Sequence, residues 1–155
     1  MNGPRRKKRL GQPWLAVVAV MMTAAMASAL EAPRLFPLIM ESSGRLISLR
    51  VEVADTRALR LRGLMFRQRL PAGQGMLLLW KRAGMVALWM KNTRIPLDMV
   101  FMDAAGRVIH VHEHARPGDL TPISAGKPTR AVLEIAAGEA RRLGLKPGDR
   151  AALPR

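Results

Sequence analysis

The sequence predicts a mainly-β fold. The expectation is a single compact sandwich, or barrel-like, domain of about seven short strands and two short helices, preceded by a signal peptide. Three observations carry it. Short apolar or alternating runs recur between turn signals such as Ser42-Ser43-Gly44, Asp103-Ala104-Ala105-Gly106 and Lys146-Pro147-Gly148-Asp149, the close spacing typical of sandwiches and barrels. Two stretches, 57–62 and 137–143, hold good helix formers ending at Gly63 and Gly144. The N-terminus has the three-part pattern of an export leader. The boundaries that follow are 1–29 for the signal peptide, 30–43 for a linker and lead-in, and 44–155 for the domain.

The leader comes first in the chain. Arg5-Arg6-Lys7-Lys8-Arg9 is a basic n-region, Trp14 to Ala27 carries no charge, and Ala27-Ser28-Ala29 is an A-x-A cleavage site. Cleavage near Ala29 would start the mature chain at Leu30 and place it in the periplasm or outside the cell. The alternative is an uncleaved membrane anchor, for which the apolar run is short against the ~20 residues of a span. Membrane contact is thus expected only during export or through an uncleaved leader. Arg5-Arg6 is followed by three more basic residues rather than an apolar pair, which weakens a twin-arginine reading and leaves the export route open.

The formal charge is +15, and loss of the five basic leader residues lowers it to +10. Such a surplus favours anionic envelope components as partners. It argues little for nucleic acid, because three Trp, three Phe and no Tyr leave few rings for stacking and no nucleic-acid motif is visible. The absence of cysteine excludes disulfides, thiolate chemistry and a lipid-modified cysteine. The fold must stand on its core.

Within the domain, Arg45 to Val53 alternates, with Leu49, Val51 and Val53 on one face and Ser48, Arg50 and Glu52 on the other, as a half-buried strand does. Asp55 or Thr56 can cap the 57–62 helix. Leu61, Leu64 and Met65, spaced i, i+3 and i+4, are expected to plug the core. Met76 to Trp80 is a buried strand, and Met85 to Met90 is expected as the next. Met99–Met102, Arg107–His114, Thr129–Ile135 and Arg150–Leu153 complete the strands, with a Pro-, Gly- and Ser-rich loop from Ala115 to Pro128.

The most informative stretch is Trp89-Met90-Lys91-Asn92-Thr93-Arg94-Ile95-Pro96-Leu97-Asp98. It reads as a hairpin connection with a polar tip and an aspartate just inside the returning strand. In a hairpin, Lys91 and Asp98 can approach across the base. One reading is a polar pocket with Lys91 for an anion, Asn92 and Thr93 as hydrogen-bonding partners, Asp98 orienting them and Trp89 as an apolar wall. The other is a turn locked by Asn92 and Thr93, with Asp98 accepting backbone N–H bonds.

Trp89-Met90-Lys91-Asn92-Thr93 followed by Pro96-Leu97-Asp98 resembles the signature of domain-of-unknown-function family 192, small and often exported prokaryotic proteins with no established activity. Gly63-Leu64-Met65-Phe66-Arg67, Leu133-Glu134-Ile135 and Ala137-Gly138 fit the same pattern, so the resemblance runs from about Val51 to Asp149. It implies a compact mainly-β domain. It also adds Glu134, which shares a face with Val132 and is a buried-carboxylate candidate, to the ligand-binding residues Trp89, Lys91, Asn92, Thr93 and Asp98.

Other chemistry is thinner. His110, His112 and His114 are expected on one strand face with Ile109 and Val111 opposite, so His110 and His112 are a workable metal pair. Met65, Met76, Met85, Met90, Met99 and Met102 offer thioethers for copper, but without Met-x-x-Met clustering they read as core filler. Asp98 and Glu134 are the carboxylates an envelope hydrolase would use. Phosphate-loop, nucleophile-elbow and His-Glu-x-x-His motifs are missing. The leading expectation is a non-catalytic domain that binds a small ligand or envelope component and needs no cofactor. A copper- or zinc-handling protein and an envelope hydrolase are the alternatives.

Overall fold

The structure is a computed structural model and describes residues 33–154. The expected signal peptide, 1–29, lies outside these residues. Among the described residues are seven strands: β1 (Phe36–Ser42), β2 (Arg45–Ala54), β3 (Gln74–Gly84), β4 (Leu97–Met102), β5 (Val108–Ala115), β6 (Thr129–Ala136) and β7 (Arg150–Ala151). Two short helices join them, α1 (Arg57–Arg62) and α2 (Glu139–Leu143).

The strands form one sheet in the order β5-β4-β6-β3-β2-β1-β7. All neighbours are antiparallel except β2 and β3, whose parallel pairing requires the crossover that carries α1. This corrects the expected sandwich: a single sheet curls into a half-barrel. Its two edges are linked at one end, where Arg107 bridges to Arg150 and the Ala151 N–H donates to the Gly106 carbonyl at 2.8 Å. Gly106 has φ +74°, and a Cβ there would stand 2.3 Å from the Ala151 carbonyl oxygen. Only glycine fits this junction.

Both faces of the central strands are buried. Leu77 and Leu79 of β3, Val100 and Met102 of β4, and Leu133 and Ile135 of β6 face one core with Leu38, Met40, Leu49 and Val51. Met76 and Leu78, Met99 and Phe101, and Val132 face a second core with Leu64, Met90, Leu97 and Ile123. Continuous apolar runs are what two-sided burial demands. Among the described residues, no second sheet lies above the outer core. Segments from α1 onward and the connections 85–96 and 116–125 cover it instead.

Three expectations change. Residues 30–43 are not simply a linker, because β1 pairs along β2 from Phe36 to Ser42 and reaches β7 at Met40 and Glu41. Leu38 and Met40 are buried while Glu41 and Ile39 face outward, so the alternation was present but masked by the apolar Ile39. Pro37 is tolerated because β7 pairs only farther along. Ser43 and Gly44, both with positive φ, form the two-residue turn that suits a tight hairpin.

Second, Met85–Met90 is not a strand. β4 is flanked on both sides, by β5 and β6, so no edge remains for a hairpin partner. The segment meets the 116–123 loop through the Leu88–Ile123 bridge and the Met90 N–H to Asp119 carbonyl bond, 2.8 Å. Third, Leu64 enters the core but Leu61 is exposed, because α1 lies across the sheet with none of its residues buried. Thr56 is the helix cap, its Oγ1 accepting from the Leu59 N–H at 3.2 Å.

Gly106→Ala should destabilise the domain by at least ~2 kcal/mol, since it adds left-handed strain to a backbone clash. Urea unfolding of the variant beside wild type measures this; a change within ~0.5 kcal/mol would show that the edge junction yields freely.

Candidate functional site

Three of the stretches that carry the family-like pattern, Gly63–Arg67, Trp89–Thr93 and Leu133–Ile135, meet on the outer face of the sheet through Gly63, Trp89, Thr93 and Glu134. Phe66, just after α1, donates its N–H to the Asn92 carbonyl at 2.9 Å, tying the Gly63–Arg67 segment to the Trp89–Asp98 segment. Beneath them lies a cavity of about 230 Å³. Leu64, Leu78, Leu88 and Trp89 form its apolar walls, Arg60, Arg62 and Thr93 add polar groups, and Glu134 lies at its base.

Glu134 is 6 % exposed, and its Oε2 has no hydrogen-bond partner among the described residues. It comes from the middle of β6, where it sits opposite Met99 and on the same face as Val132. Gly63 closes over it: the glycine has φ +47°, and a Cβ there would lie 3.4 Å from Glu134 Oε2. Burial pushes the Glu134 carboxyl up to about 7, because a dry environment disfavours the charged form and no donor offsets it. A carboxyl facing a cavity without a partner is an acceptor waiting for a donor, and near neutrality it is also able to hold or release a proton.

The expected site residues separate. Trp89, Thr93 and Glu134 share the cavity. Lys91 and Asn92 lie at the adjoining surface groove, with Thr93 common to both. Lys91 places Nζ 5.3 Å from the centroid of the Trp89 ring, a cation–π contact on the rim rather than a pocket charge. Asn92 has φ +55° at the centre of a turn closed by the Thr93 N–H to Met90 carbonyl bond, 3.0 Å. Asparagine tolerates that backbone better than most residues. The Thr93 hydroxyl donates to the Lys91 carbonyl at 3.4 Å.

Asp98 is fully buried on the opposite face of β4, toward the inner core, so it neither pairs with Lys91 nor orients Asn92 and Thr93. Its Oδ1 accepts from the His114 N–H at 2.9 Å and its Oδ2 from the Ala140 N–H at 3.0 Å. It thereby fastens β5 and α2 to β4. The two carboxylates that a hydrolase would pair are on opposite sides of the sheet.

The histidines are also rearranged. A register shift between Phe101 and Met102 displaces Ile109, which packs against the outer core while Val111 faces the inner one. His110 and His112 then share the outer face opposite Phe101 and Met99, and His114, at φ +57°, leaves the alternation. The His110 and His112 ring centroids are 6.4 Å apart, and no cluster of three or more His, Asp or Glu able to hold a metal occurs among the described residues. His110 is held below the usual histidine range by burial and then by the neighbouring His112 charge, so it gains a proton less readily. Met76, Met90, Met99 and Met102 are buried in the cores, Met65 lines the cavity and Met85 is exposed.

Arg60, Leu61, Gly63, Ala87 and Leu88 line the cavity without having been marked as site residues by the sequence. Leu61 was expected in the core, and Gly63 lies in a family-like stretch as well as being a helix stop.

The family DUF192, described as Uncharacterized ACR, matches residues 38–153. The chain belongs to the DUF192 family. Among solved structures, this DUF192 domain is similar to a protein of unknown function from Novosphingobium aromaticivorans, at 40% identity and TM-score 0.76 over 80% of this chain and 89% of that one. It is also similar to a proposed transcription regulator from Sinorhizobium meliloti, at 36% identity and TM-score 0.75 over 78% of this chain and 95% of that one. No functionally curated protein matches.

Two measurements separate the carboxylates. Asp98→Asn should cost about 1–3 kcal/mol, because one of two buried N–H groups would face an amide donor. Lys91→Met should stay within ~0.5 kcal/mol, as rim substitutions do. Equal, small effects in both would remove Asp98 from its structural role.

The second test uses pH. A folded pKa raised from 4.5 to about 7 means that the associated stability is fully present below pH 4.5 and is lost as pH rises to about 7. That loss is about 3 kcal/mol. Glu134→Gln removes it, so the variant should gain on wild type between pH 4.5 and 8 in urea unfolding. A difference that does not change with pH would place the Glu134 carboxyl in contact with solvent.

Proposed function

We propose that this DUF192 domain is a non-catalytic binding domain for a small ligand, seated in the Trp89–Thr93–Glu134 cavity. One observation carries the reading: a buried carboxyl, whose Oε2 has no partner among the described residues, on a side chain that lines a preformed, mostly apolar cavity. Small-ligand sites combine an apolar lining with a few placed polar groups in this way, although ~300–1,000 Å³ is usual for drug-sized molecules and this cavity is smaller. The ligand is therefore small, with a short apolar body along Leu64, Leu78 and Trp89. It presents an N–H or ammonium donor to Glu134.

The leader pattern supports placing the mature domain in the cell envelope, where such a ligand would be a soluble metabolite or part of an envelope component. Two-carboxylate hydrolysis finds no support, since Asp98 faces the inner core. Metal handling is weaker than ligand binding because His110 and His112 lie outside the cavity lining. The name of the Sinorhizobium relative suggests gene regulation. The helices described here, six and five residues long, are too short to serve as groove-reading elements.

Butylammonium, butyramide and butyrate probe the chemistry directly. By ¹H–¹⁵N NMR, the first two should perturb the amides of Gly63, Thr93 and Glu134, and butyrate should not. Butylammonium affinity should rise as pH passes through about 7, where the Glu134 carboxyl ionises, and should fall about tenfold in Glu134→Gln. Binding of all three probes alike, or binding indifferent to Glu134→Gln, would remove the carboxyl from the site.

A further inference from the structure

Five of the large apolar side chains left in solvent gather around the cavity mouth. Leu61 and Trp89 line the cavity itself. Met85 lines the depression that adjoins it across Arg60, Leu61, Ala87 and Leu88, and Phe66 and Leu120 line the groove that adjoins it at Thr93. All five are between 47 % and 69 % exposed. Scattered exposed apolar residues are ordinary, but a contiguous collar of them marks an interaction surface.

The charges on the collar are of one sign. Arg57, Arg60, Arg62, Lys91 and Arg94 line the same three depressions, and among the described residues the sole carboxylate lining them is Glu134 in the cavity. The acids nearest in sequence, Asp55 and Asp119, line other depressions. Arg60 is partly committed, donating to the Leu79 carbonyl at 2.8 Å and lying 5.2 Å from the Trp80 ring. Lys91 and Arg94 make no ion pair among the described residues.

We propose that this collar docks the domain peripherally on an anionic lipid bilayer. The cations meet headgroup phosphates, while Trp89, Phe66, Leu120 and Met85 enter the boundary between headgroups and acyl chains. The combination decides the occupant. A nucleic acid would satisfy the cations but not Met85 and Leu120, and a soluble anionic polymer would leave all five apolar groups in water. A bilayer surface satisfies both, with tryptophan and basic residues at its interface. No described helix is long and apolar enough to cross a membrane. The cavity mouth then faces the lipid. The inference stands on surface residues and does not require Glu134 to bind a ligand.

The test uses residues 30–155, which retain every described residue of both cores. Residues 30–155 contain the whole of the family match, 38–153, and the match to the Sinorhizobium relative covers 95% of that chain. Sedimentation with phosphatidylcholine vesicles, with and without phosphatidylglycerol, reads binding. The domain should bind the anionic vesicles about tenfold more tightly and be released by high salt. Trp89→Ser/Leu120→Ser and Lys91→Glu/Arg94→Glu should each weaken binding about tenfold while the domain stays folded by circular dichroism. Arg45→Glu/Arg150→Glu, at the far end of β2 from α1, should stay within about twofold, beyond the reach of a screened surface charge. Failure to bind anionic vesicles would overturn the proposal. An equal loss from the Arg45/Arg150 pair would show diffuse charge instead of a docking face. No loss from the Trp89/Leu120 pair would show adsorption to any polyanion.

Discussion

The constraint on which the rest of this structure depends is the burial of both faces of β3, β4 and β6. One face is covered by the curl of the sheet itself, which brings β1 and β2 across from β4 and β6. The other cannot be covered that way, because a curled sheet has a single interior. Met76, Leu78, Met99, Phe101 and Val132 must then be shielded by irregular segments, and Leu64, Met90 and Ile123 are the side chains those segments insert. Irregular backbone does not pack as closely as a second sheet. The gap it leaves is the cavity.

Two buried carboxylates show how differently the two faces treat a charge. Asp98 and Glu134 lie one register step apart on adjacent strands, Asp98 opposite Ile135 and Met99 opposite Glu134. A step of one residue reverses the face. Asp98 therefore turns inward, where the His114 and Ala140 N–H groups satisfy both of its oxygens. It repays its desolvation by holding β5 and α2 in place. Glu134 turns outward beneath Gly63, meets no donor, and is pushed up to about 7. A carboxylate with its donors built in serves structure; one without them is left for chemistry or a ligand.

The collar around the cavity follows from the same covering layer. Short irregular segments cannot bury every apolar residue they carry, and those that stabilise the outer core through Leu64, Leu88 and Met90 expose Leu61, Phe66 and Trp89 beside them. The exposure is concentrated because the covering segments converge around the cavity. The cavity opens within that patch, so what reaches Glu134 must pass a rim that is apolar and cationic at once.

Sequence alone determined most of the local structure. The alternation of β2, the apolar runs of β3, β4 and β6, the Thr56–Gly63 helix and the turns at 43–44 and 103–106 are all set by neighbouring residues, as was the burial of Glu134 beside Val132. Tertiary structure decided the rest. Whether Met85–Met90 pairs as a strand depends on whether β4 has an open edge, and Ile39 hid the pattern of β1 until β2 and β7 supplied partners. The same holds for the site. Residue types marked Trp89, Lys91, Asn92, Thr93 and Asp98 as one group and the family resemblance added Glu134, but position along a chain does not say which side of a sheet a side chain faces once register shifts intervene. Only the paired strands could separate Asp98 from Glu134, because a β-strand gives alternate residues to opposite faces and the register fixes which is which.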